Sequence, residues 1–147
     1  VGLCSQCKNF DEVINPSWIR GLDGGESLQT MSEEIRRGNE GKEFDCIIGL
    51  SGGLDSSYTA YVVAEKMQLR PLLFHVDAGW NTDKAVGNIE KLIDGLGLDL
   101  YTDVVNWDSV KRMQVAFLRA GIPDQDLVQD AAFFSGLYKF EGGDSRL

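Results

Sequence analysis

The segment 51–57, Ser-Gly-Gly-Leu-Asp-Ser-Ser, combines the groups needed to bind an anionic ligand. Its three serine hydroxyls can donate hydrogen bonds, and its two adjacent glycines let the backbone approach a ligand without Cβ clashes. Its carboxylate can hold a cation or cap a helix. This combination favours phosphate binding. The candidate binding residues are Ser51, Gly52, Gly53, Leu54, Asp55, Ser56 and Ser57.

The elements on either side of this segment predict a phosphate-binding loop. Residues 44–50 form a short apolar run typical of a buried strand, and residues 55–67 are predicted to be helical. A strand, a Ser/Gly turn and a helix start direct backbone N–H groups to one point, where the helix dipole also favours negative charge. The alternative is an ordinary strand–helix connection made of small residues.

The sequence of the loop narrows the type of phosphate chemistry. It lacks the lysine of the common NTPase loop and the dinucleotide fingerprint Gly-x-Gly-x-x-Gly. It resembles the Ser-Gly-Gly-x-Asp-Ser loop of the PP-loop ATP pyrophosphatases, the adenine nucleotide α-hydrolase-like superfamily. The resemblance implies that ATP and Mg²⁺ bind, that a substrate oxygen attacks the α-phosphorus, and that a nucleophile then displaces AMP. It also makes Ser51, Asp55 and Ser56 the candidate catalytic residues, with Asp55 holding Mg²⁺ or the loop itself.

Apolar runs and helical spacing alternate from residue 44 onward. This alternation predicts an α/β fold with a parallel sheet and right-handed crossovers. The resemblance makes the expected architecture Rossmann-like, of the PP-loop ATPase type, with helices on both faces of the sheet. Ligands are expected at the carboxyl ends of the strands, near a switch in strand order. Strands are predicted at 44–50, 71–76 and 98–105, and helices at 55–67, 82–96, 108–120 and 125–140.

Polar turns follow the predicted strands, and they should lie together at one edge of the sheet. Asp77 directly follows a buried strand, so it is either a turn residue or a contact for adenosine or Mg²⁺. His75 lies inside a strand pattern and is predicted to be a buried structural residue. Trp80 and Trp107 either line the mouth of a pocket or pack against neighbouring residues.

The three cysteines do not have the pattern of a secreted disulfide scaffold. Cys4 and Cys7 have the Cys-x-x-Cys spacing of half a zinc site, but the sequence offers no second pair. A redox pair is the alternative, although the usual strand–helix setting of such a motif is missing. Cys46 lies within the first predicted strand, where a small buried hydrophobic residue is expected.

Composition limits the classes of function. The chain has 147 residues, 43% of them hydrophobic, enough for one domain with a core. Its net charge of −9 argues against a nucleic-acid surface, and no run of residues has the length or flanks of a membrane span or signal peptide. A cytoplasmic location is expected. Two units are predicted: a Cys-x-x-Cys segment with a helical spacer (1–43) and the nucleotide-binding domain (44–147). The helix of the spacer is predicted over 29–37, with a capping box at Thr30.

Stretches that flank the loop resemble the N-acetyl sugar amidotransferase family, PP-loop proteins of bacterial surface-polysaccharide pathways. The similarity extends over most of residues 4–140, and the flanking stretches are less specific than the loop. They are Cys-Ser-Gln-Cys-Lys-Asn-Phe (4–10), Phe-Asp-Cys-Ile-Ile (44–48), Trp-Asp (107–108), Gly-Ile-Pro-Asp-Gln-Asp (121–126) and Gln-Asp-Ala (129–131).

This second resemblance implies a reaction and partners. The family converts the N-acetyl group of a sugar into an acetamidino group: the amide oxygen is adenylated, and ammonia displaces AMP. An N-acetylated nucleotide sugar would be the substrate, a separate glutaminase subunit would supply ammonia, and an oligomer is expected. Residues 51–53 and 55–57 carry over as the pyrophosphate cradle, and Asp77 as an adenosine-side or metal residue.

The sequence departs from the family at two places. Leu54 stands where many members have lysine, which removes one cation from the loop. The tail 141–147 resembles no part of the family, and the chain begins with Val1, so a truncated domain was expected. Two other functions remain open: a tRNA-modifying PP-loop enzyme of the thiolation or lysidine type, and a nucleotide-binding subunit without catalytic turnover.

Overall fold

A three-stranded parallel sheet forms the centre of the protein, for which we obtained a computed structural model that describes residues 2–142. The strand order is β1-β2-β3, so β2 is central and every residue of β2 before its last is buried. Gly49 pairs with Phe74, and Phe74 pairs with Tyr101. The strands are β1 (Cys46–Gly49), β2 (Pro71–Asp77) and β3 (Leu100–Val104).

Helices connect these strands at nearly the predicted positions. A π-helical turn, Val62–Lys66, continues the helix after β1, and a second one, Phe10–Ile14, lies between the first two helices. The four helices predicted from residue 44 onward are present, and most of their ends lie within two residues of the predicted ends. The helix after β1 ends six residues earlier than predicted, at Tyr61, where the π-helical turn begins. The helices are α1 (Ser5–Asn9), α2 (Asn15–Ser17), α3 (Gly21–Gly38), α4 (Leu54–Tyr61), α5 (Asp83–Leu96), α6 (Trp107–Arg119) and α7 (Leu127–Glu141).

Helices α4 and α5 cover one face of the sheet. Leu73 is fully buried between them, and the core around it includes Ile48, Leu50, Ala60 and Ile89. The alternation of side chains along a strand explains this set, because Ile48 and Leu50 are two residues apart and point the same way. Each of these two helices connects consecutive parallel strands, as expected of βαβ units.

The other face of the sheet is covered by α7. Phe74 and Val76, which alternate with Leu73 along β2, meet this helix at Gly136, where a Cβ atom would lie 3.5 Å from either side chain. The rings of Phe74 and Phe140 are 5.2 Å apart. Helices therefore lie on both faces, and the predicted α/β, Rossmann-like fold class is confirmed.

The expected switch in strand order is absent among residues 2–142. The three strands in this range follow one another in sequence order across the sheet, so the strand order does not reverse within them. The parallel arrangement nevertheless brings the carboxyl ends of all three strands to one edge. That edge is where the 51–57 loop lies.

The amino-terminal segment differs from the prediction. Helix α3 begins at Gly21, eight residues before the expected start, and continues through Gly24 and Gly25. The predicted capping box is wrong, because the hydroxyl of Thr30 donates to the carbonyl of Glu26 inside the helix. The division of the chain at residue 43 stays a prediction. The tail 143–147 and Val1 lie outside the described residues.

An ion pair ties the amino-terminal ends of β1 and β2 together. Asp45 accepts hydrogen bonds from Arg70 Nη2 at 2.6 Å, from Arg70 Nε at 3.1 Å and from its backbone N–H at 2.8 Å. The Asp45 side chain is only 2% exposed. Arg36 of α3 donates to the carbonyls of Met67 and Gln68 in the connection between α4 and β2. No helix within residues 2–142 is long and apolar enough to span a membrane.

Candidate functional site

The loop between β1 and α4 depends on a glycine at its second position. Gly52 has φ +74°, a region that residues with a Cβ rarely occupy. A Cβ atom at Gly52 would also lie 2.5 Å from the carbonyl oxygen of Ala85 in α5. Gly53 has an extended backbone, with φ −80° and ψ 168°, and a Cβ there would meet only the hydroxyl of Ser51, at 3.3 Å. The first glycine is therefore required by the fold itself.

The serine hydroxyls of the loop bind one another and one carbonyl. Ser57 Oγ donates to the carbonyl of Gly53 at 2.7 Å, and Ser56 Oγ lies 3.3 Å from the same oxygen. Ser51 Oγ is 3.1 Å from Ser56 Oγ, which also accepts the backbone N–H of Ser51 at 3.2 Å. The three hydroxyls thus lie together around the start of α4.

Backbone amides at the start of α4 face the loop without helical partners. Gly53 is the N-cap and gives no side-chain hydrogen bond to the first turn in the described structure. The N–H groups of Leu54, Asp55 and Ser56 lie in that turn, where an α-helix provides no acceptor. The positive end of the helix dipole adds to their field. This arrangement can bind a phosphate-sized anion.

Helix α5 contributes positive charge beside the loop. A pocket of about 760 Å³ lies between the loop and this helix, with Lys84 and Lys91 in its lining and no acidic residue among the described lining residues. Asn88, on the same helical face, donates from Nδ2 to the carbonyl of Gly52 at 3.0 Å. A protein with a net charge of −9 therefore presents cations where an anion would bind.

Sequence reasoning missed these α5 residues. Residues 84, 88 and 91 have the i, i+4, i+7 spacing of one helical face, so the signal was present in the sequence. The packing of α5 decides which of its faces meets the loop, because Ala85 of α5 lies against Gly52.

A second pocket, of about 390 Å³, opens beside the loop at the carboxyl ends of β1 and β2. Ser51 lines both this pocket and the pocket against α5. Its walls are mainly apolar and aromatic, with the amides of Asn81 and Gln129 as polar groups among them. A planar aromatic group with polar edges fits this lining. The aromatic side chains of the wall are Phe74, Trp80, Phe133 and Phe134.

His75 forms hydrogen bonds both to the residue before the 51–57 loop and to the segment after β2. It is 7% exposed, which confirms the predicted burial. Its Nδ1 lies 2.7 Å from the carbonyl of Leu50, and its Nε2 lies 3.0 Å from Nδ2 of Asn81. A carbonyl only accepts, so Nδ1 carries the proton and Nε2 accepts from the amide of Asn81. One neutral tautomer satisfies both contacts and holds the residue before Ser51.

Asp77, Trp80 and Trp107 follow the strands, and they differ in whether they line a pocket. Asp77 uses Oδ1 to accept the backbone N–H of Gly79 at 2.8 Å, as a turn residue does. It does not line either pocket among the described residues, and its proposed ligand role stays a prediction. Trp80 and Trp107 pack edge to face, with ring centroids 5.3 Å apart. Trp80 both packs and lines the second pocket, so the two interpretations coexist.

The described structure brings no complete metal site together. No group of three or more His, Cys, Asp or Glu side chains lies within reach of one ion among residues 2–142. Cys4 and Cys7 are both exposed and close to each other, which leaves zinc binding a prediction that needs further ligands. Cys46 is half-buried, and burial, with the nearby carboxylate of Asp45, raises the pKa of its thiol to about 11. It lies in β1 as predicted, but it is half-buried rather than fully buried.

Solved structures with this fold include three synthetases. An NH₃-dependent NAD synthetase from Campylobacter jejuni, in complex with nitrate, has a TM-score of 0.55 and 16% identity over 80% of this chain. The NMN synthetase of Francisella tularensis has a TM-score of 0.53 and 22% identity over 80%. The NAD⁺ synthetase of Burkholderia pseudomallei has a TM-score of 0.51 and 19% identity over 85%. At these identities the similarity establishes the fold.

The chain corresponds to only part of those structures. It covers 50% of the Campylobacter protein, 48% of the Francisella protein and 59% of the Burkholderia protein. No protein-family model and no curated protein sequence matches the chain. The α/β fold class is therefore established from structure, and phosphate binding by the 51–57 loop stays a prediction.

Proposed function

We propose that this chain is the nucleotide-binding part of a PP-loop ATP pyrophosphatase. The observation that carries this proposal is the 51–57 loop, which combines first-turn amides of α4 that have no helical acceptor, clustered serine hydroxyls and a left-handed Gly52. The two pockets that share Ser51 suit the two ends of ATP. The triphosphate would lie between the loop and Lys84, and the adenine would enter the aromatic pocket.

The residues present fit Mg²⁺ bound together with ATP. Mg²⁺ is usually held by one or two carboxylates, water and substrate phosphates rather than by a closed protein cage. Asp55 is exposed in the first turn of α4, next in sequence to Leu54 of the pocket lining, and would supply such a carboxylate. Asp77 would add a second if its turn opened towards the ligand. Bound Mg²⁺ would neutralise charge on the phosphates and assist departure of pyrophosphate.

The reaction that fits the sequence resemblance is amidine formation on an N-acetyl sugar. The acetamido oxygen attacks the α-phosphorus of ATP, which forms an O–P bond and releases pyrophosphate. Ammonia adds to the activated carbon and loses one proton from its nitrogen. The C–O bond then breaks, and AMP leaves with the former amide oxygen, which gives the protonated acetamidino product. The NH₃-dependent synthetase among the similar structures supports ammonia as the nucleophile on this fold.

The chain's own groups would stabilise the charges that develop. The amides of Leu54, Asp55 and Ser56 are positioned to stabilise negative charge on the leaving pyrophosphate. Hydroxyls of Ser51 and Ser57 would turn from their present partners to phosphate oxygens. Lys84 and Lys91 would take the place of the lysine that the loop lacks at Leu54.

A partner that supplies ammonia belongs to the same proposal. A glutaminase needs an accessible cysteine activated by a neighbouring base, and Cys46 is unsuited because burial raises its pKa to about 11. Cys4 and Cys7 are exposed, but the one histidine of the sequence, His75, is bound to Leu50 and Asn81. We therefore assign ammonia production to a separate glutaminase subunit in an oligomeric assembly. Surface-polysaccharide synthesis in the cytoplasm, on a nucleotide-linked sugar, is the corresponding setting.

The test is product analysis with the purified chain. ATP, Mg²⁺, UDP-N-acetylglucosamine and ammonium chloride are mixed, and AMP, ADP and pyrophosphate are measured. AMP that requires both sugar and ammonium supports the proposal, whereas ADP refutes it. AMP that requires tRNA instead would favour the RNA-modifying alternative, and ATP binding without turnover, even with a glutaminase added, would favour the non-catalytic subunit.

A matched pair of variants separates the loop from general charge effects. Asp55→Asn should reduce ATP–Mg²⁺ affinity about tenfold or more, since it removes the carboxylate beside the phosphate position. Asp83→Asn makes the same change in the first turn of α5 and should leave affinity within about twofold. Equal effects of both variants would contradict a specific role for Asp55.

A further inference from the structure

The aromatic pocket beside the loop contains a side-chain amide whose orientation is set by a buried neighbour. Asn81 lines this pocket, and its Nδ2 lies 3.0 Å from Nε2 of His75. Nδ1 of His75 donates to the carbonyl of Leu50, which leaves Nε2 as the acceptor for an amide N–H of Asn81. The contact therefore fixes the amide nitrogen of Asn81, and with it the position of the carbonyl oxygen Oδ1.

A second amide in the same pocket is not constrained in this way. Gln129 of α7 lines the pocket, but its side chain makes no hydrogen bond within residues 2–142. An unconstrained amide can turn over and exchange its donor for its acceptor, so it pairs with either kind of polar group. Of the two amides, Asn81 is the one that can distinguish a donor from an acceptor on a ligand.

The aromatic wall of the pocket provides a surface on which a flat ligand can stack. Trp80 precedes Asn81, and its indole Nε1 donates to Oε1 of Gln114 at 3.2 Å while its ring packs against Trp107. A ring held in this way can stack on any nucleobase, because every base has a flat face. Stacking would therefore supply affinity, and the choice between bases would depend on polar groups at their edges.

Adenine and guanine differ at position 6 in a way that a fixed amide can detect. Adenine has an amino donor there, whereas guanine has a carbonyl acceptor. We propose that Asn81, held by His75, selects adenine over guanine by accepting a hydrogen bond at Oδ1 from the amino group. Guanine would place its carbonyl oxygen against Oδ1, which sets two acceptors against each other. This assignment rests on the proposed ATP binding and names the residue that determines which nucleotide binds.

The experiment compares three nucleotides by calorimetric titration of the full chain with Mg²⁺ present. They are ATP, GTP and purine riboside triphosphate, in which hydrogen replaces the amino group. The wild type should bind ATP about tenfold more tightly than GTP and about fivefold more tightly than the purine analogue. In Asn81→Ala the three affinities should lie within about twofold of one another, because the acceptor that distinguishes them is gone.

Two matched variants show whether this effect is specific to Asn81. Gln129→Ala removes the other amide of the same pocket, and it should weaken the three nucleotides equally and keep the preference for ATP. Asn9→Ala makes the same substitution as Asn81→Ala on the exposed helix α1, outside the lining of either pocket, and should leave every affinity within about twofold.

His75→Asn tests whether the histidine acts by positioning Asn81. An asparagine can still donate from Nδ2 to the carbonyl of Leu50, but it has no atom in the place of Nε2, so the amide of Asn81 is free to turn. ATP should still bind, and its advantage over GTP should fall below about threefold. An unchanged advantage in His75→Asn would show that His75 does not position the amide.

The outcomes separate this assignment from the function on which it rests. Equal affinity of the wild type for ATP and the purine analogue would overturn the role of Asn81 and leave ATP binding intact. An unchanged preference for ATP in Asn81→Ala would do the same. If the wild type bound none of the three nucleotides, the proposed function itself would be refuted.

Discussion

Replacing Gly52 by alanine should destabilise the fold before it affects any ligand. The new Cβ would sit 2.5 Å from the carbonyl oxygen of Ala85 and 3.0 Å from its carbonyl carbon, far inside contact distance. The left-handed φ of +74° costs alanine about 1–2 kcal/mol, and relieving the overlap with backbone costs about 1–3 kcal/mol more. Alanine also restricts the unfolded chain, which offsets about 0.5 kcal/mol. We expect a net loss of about 3 kcal/mol.

Gly53→Ala is the matched control for this substitution. Its extended backbone accepts alanine, and the nearest atom to the new Cβ is the rotatable Ser51 hydroxyl at 3.3 Å. Its free energy of unfolding should therefore stay within about 1 kcal/mol of the wild type. A methyl group on this surface would still obstruct a phosphate, so the affinity for ATP–Mg²⁺ should fall about tenfold.

Urea unfolding followed by circular dichroism measures the stability of both variants, and calorimetric titration measures ATP–Mg²⁺ binding by Gly53→Ala. A Gly52→Ala protein as stable as the wild type would show that α5 does not press against the loop as described. Full nucleotide affinity in Gly53→Ala would show that phosphate does not approach this part of the backbone. The two results are independent, because one concerns packing and the other concerns binding.

Three further substitutions test the surroundings of the site. Asp45→Asn should lower the free energy of unfolding by about 2 kcal/mol at pH 7. Hydrogen bonds from the Arg70 guanidinium lower the pKa of Asp45, so the wild-type advantage is complete above the unfolded pKa of about 4 and is lost as pH falls through the folded pKa. Urea unfolding at several pH values measures this loss. Lys84→Met should weaken ATP binding about fivefold at low salt, whereas Lys111→Met on α6 should change the affinity less than twofold. Equal losses of affinity in calorimetric titration would contradict a local role for Lys84. His75→Phe leaves the buried carbonyl of Leu50 unpaired and removes the partner of the exposed Asn81, so it should cost about 1–3 kcal/mol. An unchanged thermal midpoint would contradict a role of His75 in holding Leu50.

The α/β core could be predicted because its buried strands are local runs of apolar residues in the sequence. The run from Pro71 to Val76 is apolar at nearly every position, as a central strand covered on both faces requires. The 51–57 motif was recognisable for the same reason, since all its groups are consecutive. Segments whose structure depends on distant partners were harder to predict.

Helix α3 shows where local signals failed. The helix was predicted only over 29–37, with Thr30 as a cap, but it begins at Gly21 and includes Gly24, Gly25 and Thr30. Arg36 bonds the carbonyls of Met67 and Gln68, a contact across more than thirty residues that no local pattern contains. The Asp45–Arg70 pair and the position of Lys84 beside the loop depend on strand register and helix packing in the same way.

The hydrogen bonds within the 51–57 loop determine how a ligand would arrive. His75 holds the carbonyl before the loop, Asn88 holds the carbonyl of Gly52, and Ser57 holds that of Gly53. The backbone is therefore ordered before binding, and little conformational entropy remains to be lost on association. Anion capture should follow a single exponential whose rate rises linearly with ligand concentration and falls with ionic strength, because encounter rather than loop rearrangement limits it.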